Sequence, residues 1–101
     1  MVKCAIETED STKVADAVWV SDERFQIIKD EASCSVAPEV CVEVISPANS
    51  GAEISRKRAL YLAAGATEVW VCDREGKLQF FDQSGKMPAS KLCPHFPSQL
   101  R

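Results

Sequence analysis

Residues Val40–Gly51 read VCVEVISPANSG, and the reading of this stretch decides the fold. Val, Cys and Ile crowd its first six positions, the near-continuous apolar run of a strand covered on both faces. Ser46-Pro47 then stops it. In the middle stands Glu43. A carboxylate buried without a partner is costly, so Glu43 either faces water or is used by the fold. Alternation over a strand at Glu39–Ser46 puts Glu39, Cys41, Glu43 and Ile45 on one side and Val40, Val42, Val44 and Ser46 on the other.

Downstream, Ala52–Ala64 (AEISRKRALYLAA) is the clearest helix, rich in Ala, Leu, Arg and Lys, with Gly65 placed as its stop. TEVWVCD, Thr67–Asp73, is the next strand, REGK a tight turn, and LQFFD a strand folding back on it. A strand, a helix and a strand in that order imply two parallel strands joined by a right-handed crossover. Upstream, VKCAIE (residues 2–7) and DAVWV (Asp16–Val20) are strands, with TEDSTK between them as the turn of a hairpin. SDERFQIIKDEA, Ser21–Ala32, has the start of a helical turn. The Pro-containing tail, Ser84–Arg101, is expected to be irregular with a short extended piece. No repeat or linker divides the chain, so residues 1–101 are expected to form a single α/β domain with a mixed sheet.

At 100° per residue, Glu53 and Lys57 fall in one arc of the helix with Ile54, Leu60, Tyr61 and Ala64. Their four-residue spacing also fits an ordinary surface ion pair, worth about 0.3–0.5 kcal/mol. The company of Leu60 and Tyr61 points the other way, toward the sheet and Glu43, where a buried charge needs partners. Asp16 opens a second mostly apolar strand face with Val18 and Val20.

Composition narrows the field. Of 101 residues, 12 are basic and 15 acidic, a net charge of −3, which argues against a domain that coats itself with nucleic acid. A nuclease whose acidic site meets DNA through bridging metal ions is compatible with it. RKR, Arg56 to Arg58, is the only dense positive cluster, and no aromatic platform accompanies it. Five cysteines are scattered with no CxxC pair, so free thiols in a cytoplasmic protein are expected rather than zinc or disulfides. The apolar runs are too short for a membrane span and nothing reads as a signal peptide. His95 is solitary in CPHFPS and reads as a surface residue.

Pro38-Glu39, VEVISP, Glu53, Lys57, Tyr61 and GATEVWVCD, with VADAVWVSDERF before them and SKLCPHFPSQL after them, stand in one fixed order. Together they resemble the Uma-two family of restriction endonucleases, in the PD-(D/E)XK nuclease superfamily, from Asp16 to Leu100. The resemblance implies a restriction-endonuclease-like mixed β-sheet and a metal-dependent endonuclease acting on DNA. Asp16 and Glu43 would bind Mg²⁺, with Mn²⁺ as a substitute, helped by a main-chain carbonyl beside Glu43. Lys57 would stand in for the superfamily's lysine two residues after the glutamate, a place held here by Ile45. Glu53 would assist by way of the ion or by holding Lys57. Ser46, Tyr61, Glu68 and Trp70 would be structural.

Two departures accompany the match. Ala15 replaces the family's proline before Asp16, and the family's long N-terminal portion is absent, so the first core helix is expected to be missing and one sheet face bare. An exposed apolar face implies an interface, hence a homodimer or a missing partner segment. The alternative function is a catalytically inactive remnant of the nuclease fold, kept for dimerisation or partner binding.

Overall fold

The computed structural model describes residues 4–100. Its elements are β1 (Cys4–Thr8), β2 (Ser11–Ala15), β3 (Ala17–Trp19), α1 (Asp22–Ile28), β4 (Val40–Val44), α2 (Gly51–Ala63), β5 (Glu68–Cys72), β6 (Leu78–Asp82) and β7 (Gly85–Met87). Strands β3 to β7 form one mixed sheet in chain order, in which β4 and β5 are parallel and the other pairs antiparallel. The class is α/β, as the order of elements implies.

The crossover from β4 to β5 runs through α2. Ser50 caps the helix by accepting from the Glu53 amide at 3.1 Å. At the other end Gly65 adopts φ +113°. The Gly65 amide donates to Leu62 and the Ala66 amide to Tyr61, the paired bonds of a Schellman stop. Arg24 on α1 then donates to the Ala37 and Gly65 carbonyls, both at 2.9 Å, so α1 is fastened to the end of α2. The start of α1 is fixed in turn by Glu39, which accepts from the Ser21 amide and hydroxyl.

The hairpin differs from the sequence expectation. VKCAIE pairs not with DAVWV but with Ser11–Ala15, whose first three residues were assigned above to its turn, and positions 2 and 3 of that strand lie outside the described residues. The cause is a tighter turn at Glu9-Asp10, closed by Thr8 and Ser11, with Ser11 at φ 67°. β2 is half-exposed, so its Thr and Lys resemble turn residues. After Ala15 the chain bends at Asp16 and changes partner, and β3 pairs with β4 at the edge of the main sheet.

Neither face of the sheet centre is bare. On the α2 side, Cys41, Val69 and Tyr61 pack with Ile6, Ala15 and Ile28 from the hairpin and α1. On the other side Val40, Val42, Trp70, Phe80 and Met87 are buried. The C-terminal tail covers them: Phe96 lies 4.7 Å from Trp70 between ring centres, the Leu78 amide donates to Ser98 and the Leu100 amide to Gly76. The tail was expected to be irregular with a short extended piece, which is β7, and the irregular remainder covers a sheet face where a bare one was foreseen.

Glu68 anchors that tail. Its side chain is buried, accepting from Trp70 Nε1 (2.8 Å) and Ser90 Oγ (2.6 Å) at Oε1, and from the Lys91 and Leu92 amides at Oε2. Burial works to raise its pKa, but the hydrogen bonds from Ser90, Trp70, Leu92 and Lys91 outweigh it and hold the carboxyl below its ordinary value. Stability from this depressed carboxyl is complete above its unfolded value, about pH 4.3, and is lost as pH falls through the folded value. Glu68→Gln puts an amide nitrogen against donors and is expected to cost about 2 kcal/mol at neutral pH. Urea titrations of both proteins should show that gap closing on acidification through the folded value. A gap independent of pH would refute the assignment.

Candidate functional site

β4 presents Glu43 toward α2, and its side chain is only 5% exposed. Lys57 and Tyr61 stand four apart on α2 and so share a face. Both reach the same carboxylate. Lys57 Nζ lies 2.7 Å from Glu43 Oε1, and the Tyr61 hydroxyl donates to Oε2 at 3.2 Å. Lys57 Nζ also donates to the Val14 carbonyl at 3.3 Å, so one ammonium joins the end of β2, the centre of β4 and the middle of α2.

Asp16 sits at the bend between β2 and β3. The pairing of Val18 with Cys41 and Ala17 with Val42, continued by one residue, sets Asp16 across from Glu43. Its amide donates to the Val42 carbonyl at 3.0 Å, and its Oδ2 accepts from the Val44 amide at 2.8 Å. The side chain thus supplies the acceptor that a regular ladder would draw from a neighbouring backbone. Asp16 Oδ1 accepts no protein hydrogen bond among the described residues.

Of the residues singled out from sequence, Glu43 and Lys57 are in direct contact, and Asp16 is bonded to the residue next to Glu43. Glu53 is not part of this group. It is exposed and accepts from Asn49 Nδ2 at 3.2 Å, and no ion pair joins it to Lys57. Ser46 bonds Asn49 Oδ1 in the loop before α2. RKR does not form a positive patch, because its members point three ways: Arg56 to Asp10 (3.0 Å), Lys57 to Glu43, and Arg58 over the Phe81 ring (4.1 Å). His95 is exposed. A cavity of about 230 Å³ lies beside Lys57, lined also by Lys13, Glu53, Arg56 and Leu60.

Sequence reading placed Tyr61 in the core and missed its bond to Glu43, although the four-residue spacing from Lys57 carries that signal. The Val14 carbonyl carried none, because any residue type offers the same acceptor.

The donors are hard oxygens, which suit a Mg²⁺-type ion. Among the described residues no group of three or more His, Cys, Asp or Glu side chains is arranged to hold a metal. Asp16 and Glu43 together would offer two carboxylates, within the one or two that Mg²⁺ commonly takes from a protein while keeping its waters.

Residues 1–90 match the model of the Uma2 family, described as "Putative restriction endonuclease". The chain belongs to this family. No curated protein matches it. Among solved structures it is similar to "a putative nuclease belonging to DUF820" from Anabaena variabilis, at TM-score 0.68 and 17% identity. That match covers 86% of this chain and 51% of the other, so the chain spans about half of that neighbour's length.

Burial, then the charge and hydrogen bond of Glu43, raise the Tyr61 phenol well above its ordinary value. The fold's preference for the neutral phenol is complete below about pH 10, the unfolded value, and is lost as pH rises toward the folded one. Tyr61 is the only tyrosine in the chain, so tyrosinate absorbance reports it alone. The expected titration shows no ionisation near pH 10, only a late step coincident with unfolding. Glu43→Gln should bring that step to lower pH, and a wild-type midpoint near 10 in the folded protein would refute the contact.

Proposed function

We propose that this Uma2-family chain is a metal-dependent endonuclease that hydrolyses phosphodiester bonds of DNA through Asp16, Glu43 and Lys57. The observation that carries the reading is the buried Glu43 carboxylate, held 2.7 Å from the Lys57 ammonium with Asp16 across the strand pair. A core position that served packing alone would be filled at lower cost by an apolar residue.

In this reading Asp16 and Glu43 would hold Mg²⁺ or Mn²⁺, with a main-chain carbonyl beside Glu43. Bound there, the ion would supply Lewis-acid activation of water and neutralise charge on the phosphate. The protein's own share is positioning. Tyr61 fixes one oxygen of Glu43 and so orients the carboxylate. Asp16 keeps one oxygen on the Val44 amide and has the other available. Lys57 brings a positive charge to the place where negative charge would gather on the scissile phosphate, the form of stabilisation that contributes most in many enzymes. Lys13 and Arg56, at the mouth of the adjoining cavity, are suited to the flanking backbone phosphates.

A second reading, the inactive remnant acting as a homodimer or partner-binding module, is favoured by a different observation. Both oxygens of Glu43 are satisfied within the chain, and Trp19 and Val44 are exposed, at 43% and 49%, on one face of the β3–β4 edge.

One experiment separates the two: calorimetry of Mg²⁺ and Mn²⁺ binding, with plasmid cleavage, on the wild type, Glu43→Gln, Asp16→Asn and Lys57→Ala. The nuclease reading expects both carboxylate variants to lose ion binding. Lys57→Ala should keep it while cleavage falls by roughly 10²-fold or more. An absence of ion binding in the wild type, or cleavage that survives Glu43→Gln, overturns it. Sedimentation of the same samples then tests for the dimer.

A further inference from the structure

The fold brings together two cysteines that the sequence keeps 30 positions apart. Cys4 Sγ on β1 and Cys34 Sγ, in the segment after α1, lie 3.1 Å from each other. The approach is fixed by backbone bonds. The Cys34 amide donates to the Ala5 carbonyl at 2.8 Å, and the Glu7 amide donates to the Cys34 carbonyl at 2.9 Å. Cys34 thus runs as a short parallel partner of β1, bridged to Ile6. Joining the sulfurs requires them to close by about 1 Å, to a bond of about 2.05 Å, a movement within the reach of side-chain rotation.

The pair is also reachable. Cys4 is half-buried, Cys34 is 6% exposed, and both line a cavity of about 300 Å³ that continues along Val18, Val20, Phe25 and Ile28. Phe25 at its rim is 47% exposed. Cys41 packs in the same core cluster but is fully buried, with its thiol 3.8 Å from the Pro38 carbonyl, while Cys72 and Cys93 lie on the opposite face of the sheet.

We propose that Cys4 and Cys34 form a reversible disulfide by exchange with a small-molecule disulfide of the glutathione type. Cys4, the more exposed, gives up its proton and attacks one sulfur of the small molecule, breaking its S–S bond and expelling one thiolate. Cys34 then gives up its proton and attacks Cys4 Sγ in the mixed disulfide, expelling the second thiolate. In sum two protein thiols are oxidised and one small disulfide is reduced to two thiols, which take up the two protons. Burial, then the contact with Cys4, pushes the Cys34 thiol up to about 12, so the first attack does not come from Cys34. The bond would tie β1 to the segment after α1, and so fasten the hairpin whose second strand carries Val14 and leads into Asp16.

The test is oxidation of the full chain under native conditions by oxidised glutathione, followed by alkylation and peptide mapping by mass spectrometry. The expected product is a Cys4–Cys34 linked peptide, reversed by dithiothreitol, with a rise in Tm of roughly 10–20 °C from cross-linking the span. In Cys34→Ser the reaction should stop at glutathione on Cys4. Persistent glutathione on wild-type Cys4, dominant links to Cys41, Cys72 or Cys93, or recovery of all five thiols alkylated would each overturn the proposal. Should Cys34→Ser fail to fold, the wild-type map decides alone.

Discussion

The carboxylate of Glu43 constrains everything around it. It sits on an interior strand of a sheet covered on both sides, where an unpaired charge would be prohibitive. Its partners must come from an element that crosses over this part of β4, and the parallel β4–β5 connection supplies one in α2. Lys57 and Tyr61, one turn apart, then fix the rotation of α2 and its position along the sheet together. A helix held by apolar contacts alone could slide or turn at small cost. Here either movement would strand a buried charge, so the ion pair acts on specificity of packing more than on net stability.

Glu68 provides the contrast within the same sheet. It too is a buried carboxylate on an interior strand, but its four partners are a hydroxyl, an indole and two backbone amides. None carries a charge, and every acceptor position is filled, one by Trp70 on the same strand and the rest by the tail it anchors. Such a site has no means of changing state. Glu43 is paired with a flexible ammonium that is 22% exposed and borders a cavity. A lysine stem allows the charge to be withdrawn without dismantling the strand. The two carboxylates have similar burial and opposite prospects, and the difference lies in the mobility of their partners.

Much of this was legible in sequence where one element sufficed. The strand at Val40–Val44, the helix ending at Gly65 and the parallel crossover follow from apolar runs, a cap and a glycine, all local signals. Glu43 and Lys57 were found by asking why a charge should lie on an apolar face. What escaped was set by partners distant in the chain. The first three residues of β2 were read as a turn because a half-exposed strand carries Ser, Thr and Lys. The tail's packing on Trp70 left no periodic pattern, since irregular chain fixed by Glu68 needs only a hydroxyl and two backbone amides. Glu53 was drawn inward by its angle on the helix. That angle does not register that in the first turn Ile54 takes the place against Val71 and Phe81, while Asn49 offers Glu53 a partner at the surface.

Asp16 carries the closest coupling between fold and chemistry. As the chain leaves the hairpin, β2 ends its pairing with β1 and β3 takes up pairing with β4, and the residue at the change must satisfy backbone groups on both sides of the break. Asp16 does so by offering its amide to Val42 and a carboxylate oxygen to Val44. A serine or asparagine could also accept from that amide. Only an acidic residue does so while leaving a second, charged oxygen beside Glu43, at an increased electrostatic cost that the Lys57 ammonium offsets. In the proposed reading a bound cation would answer this repulsion, which a neutral acceptor at position 16 would not have introduced while completing the fold as well.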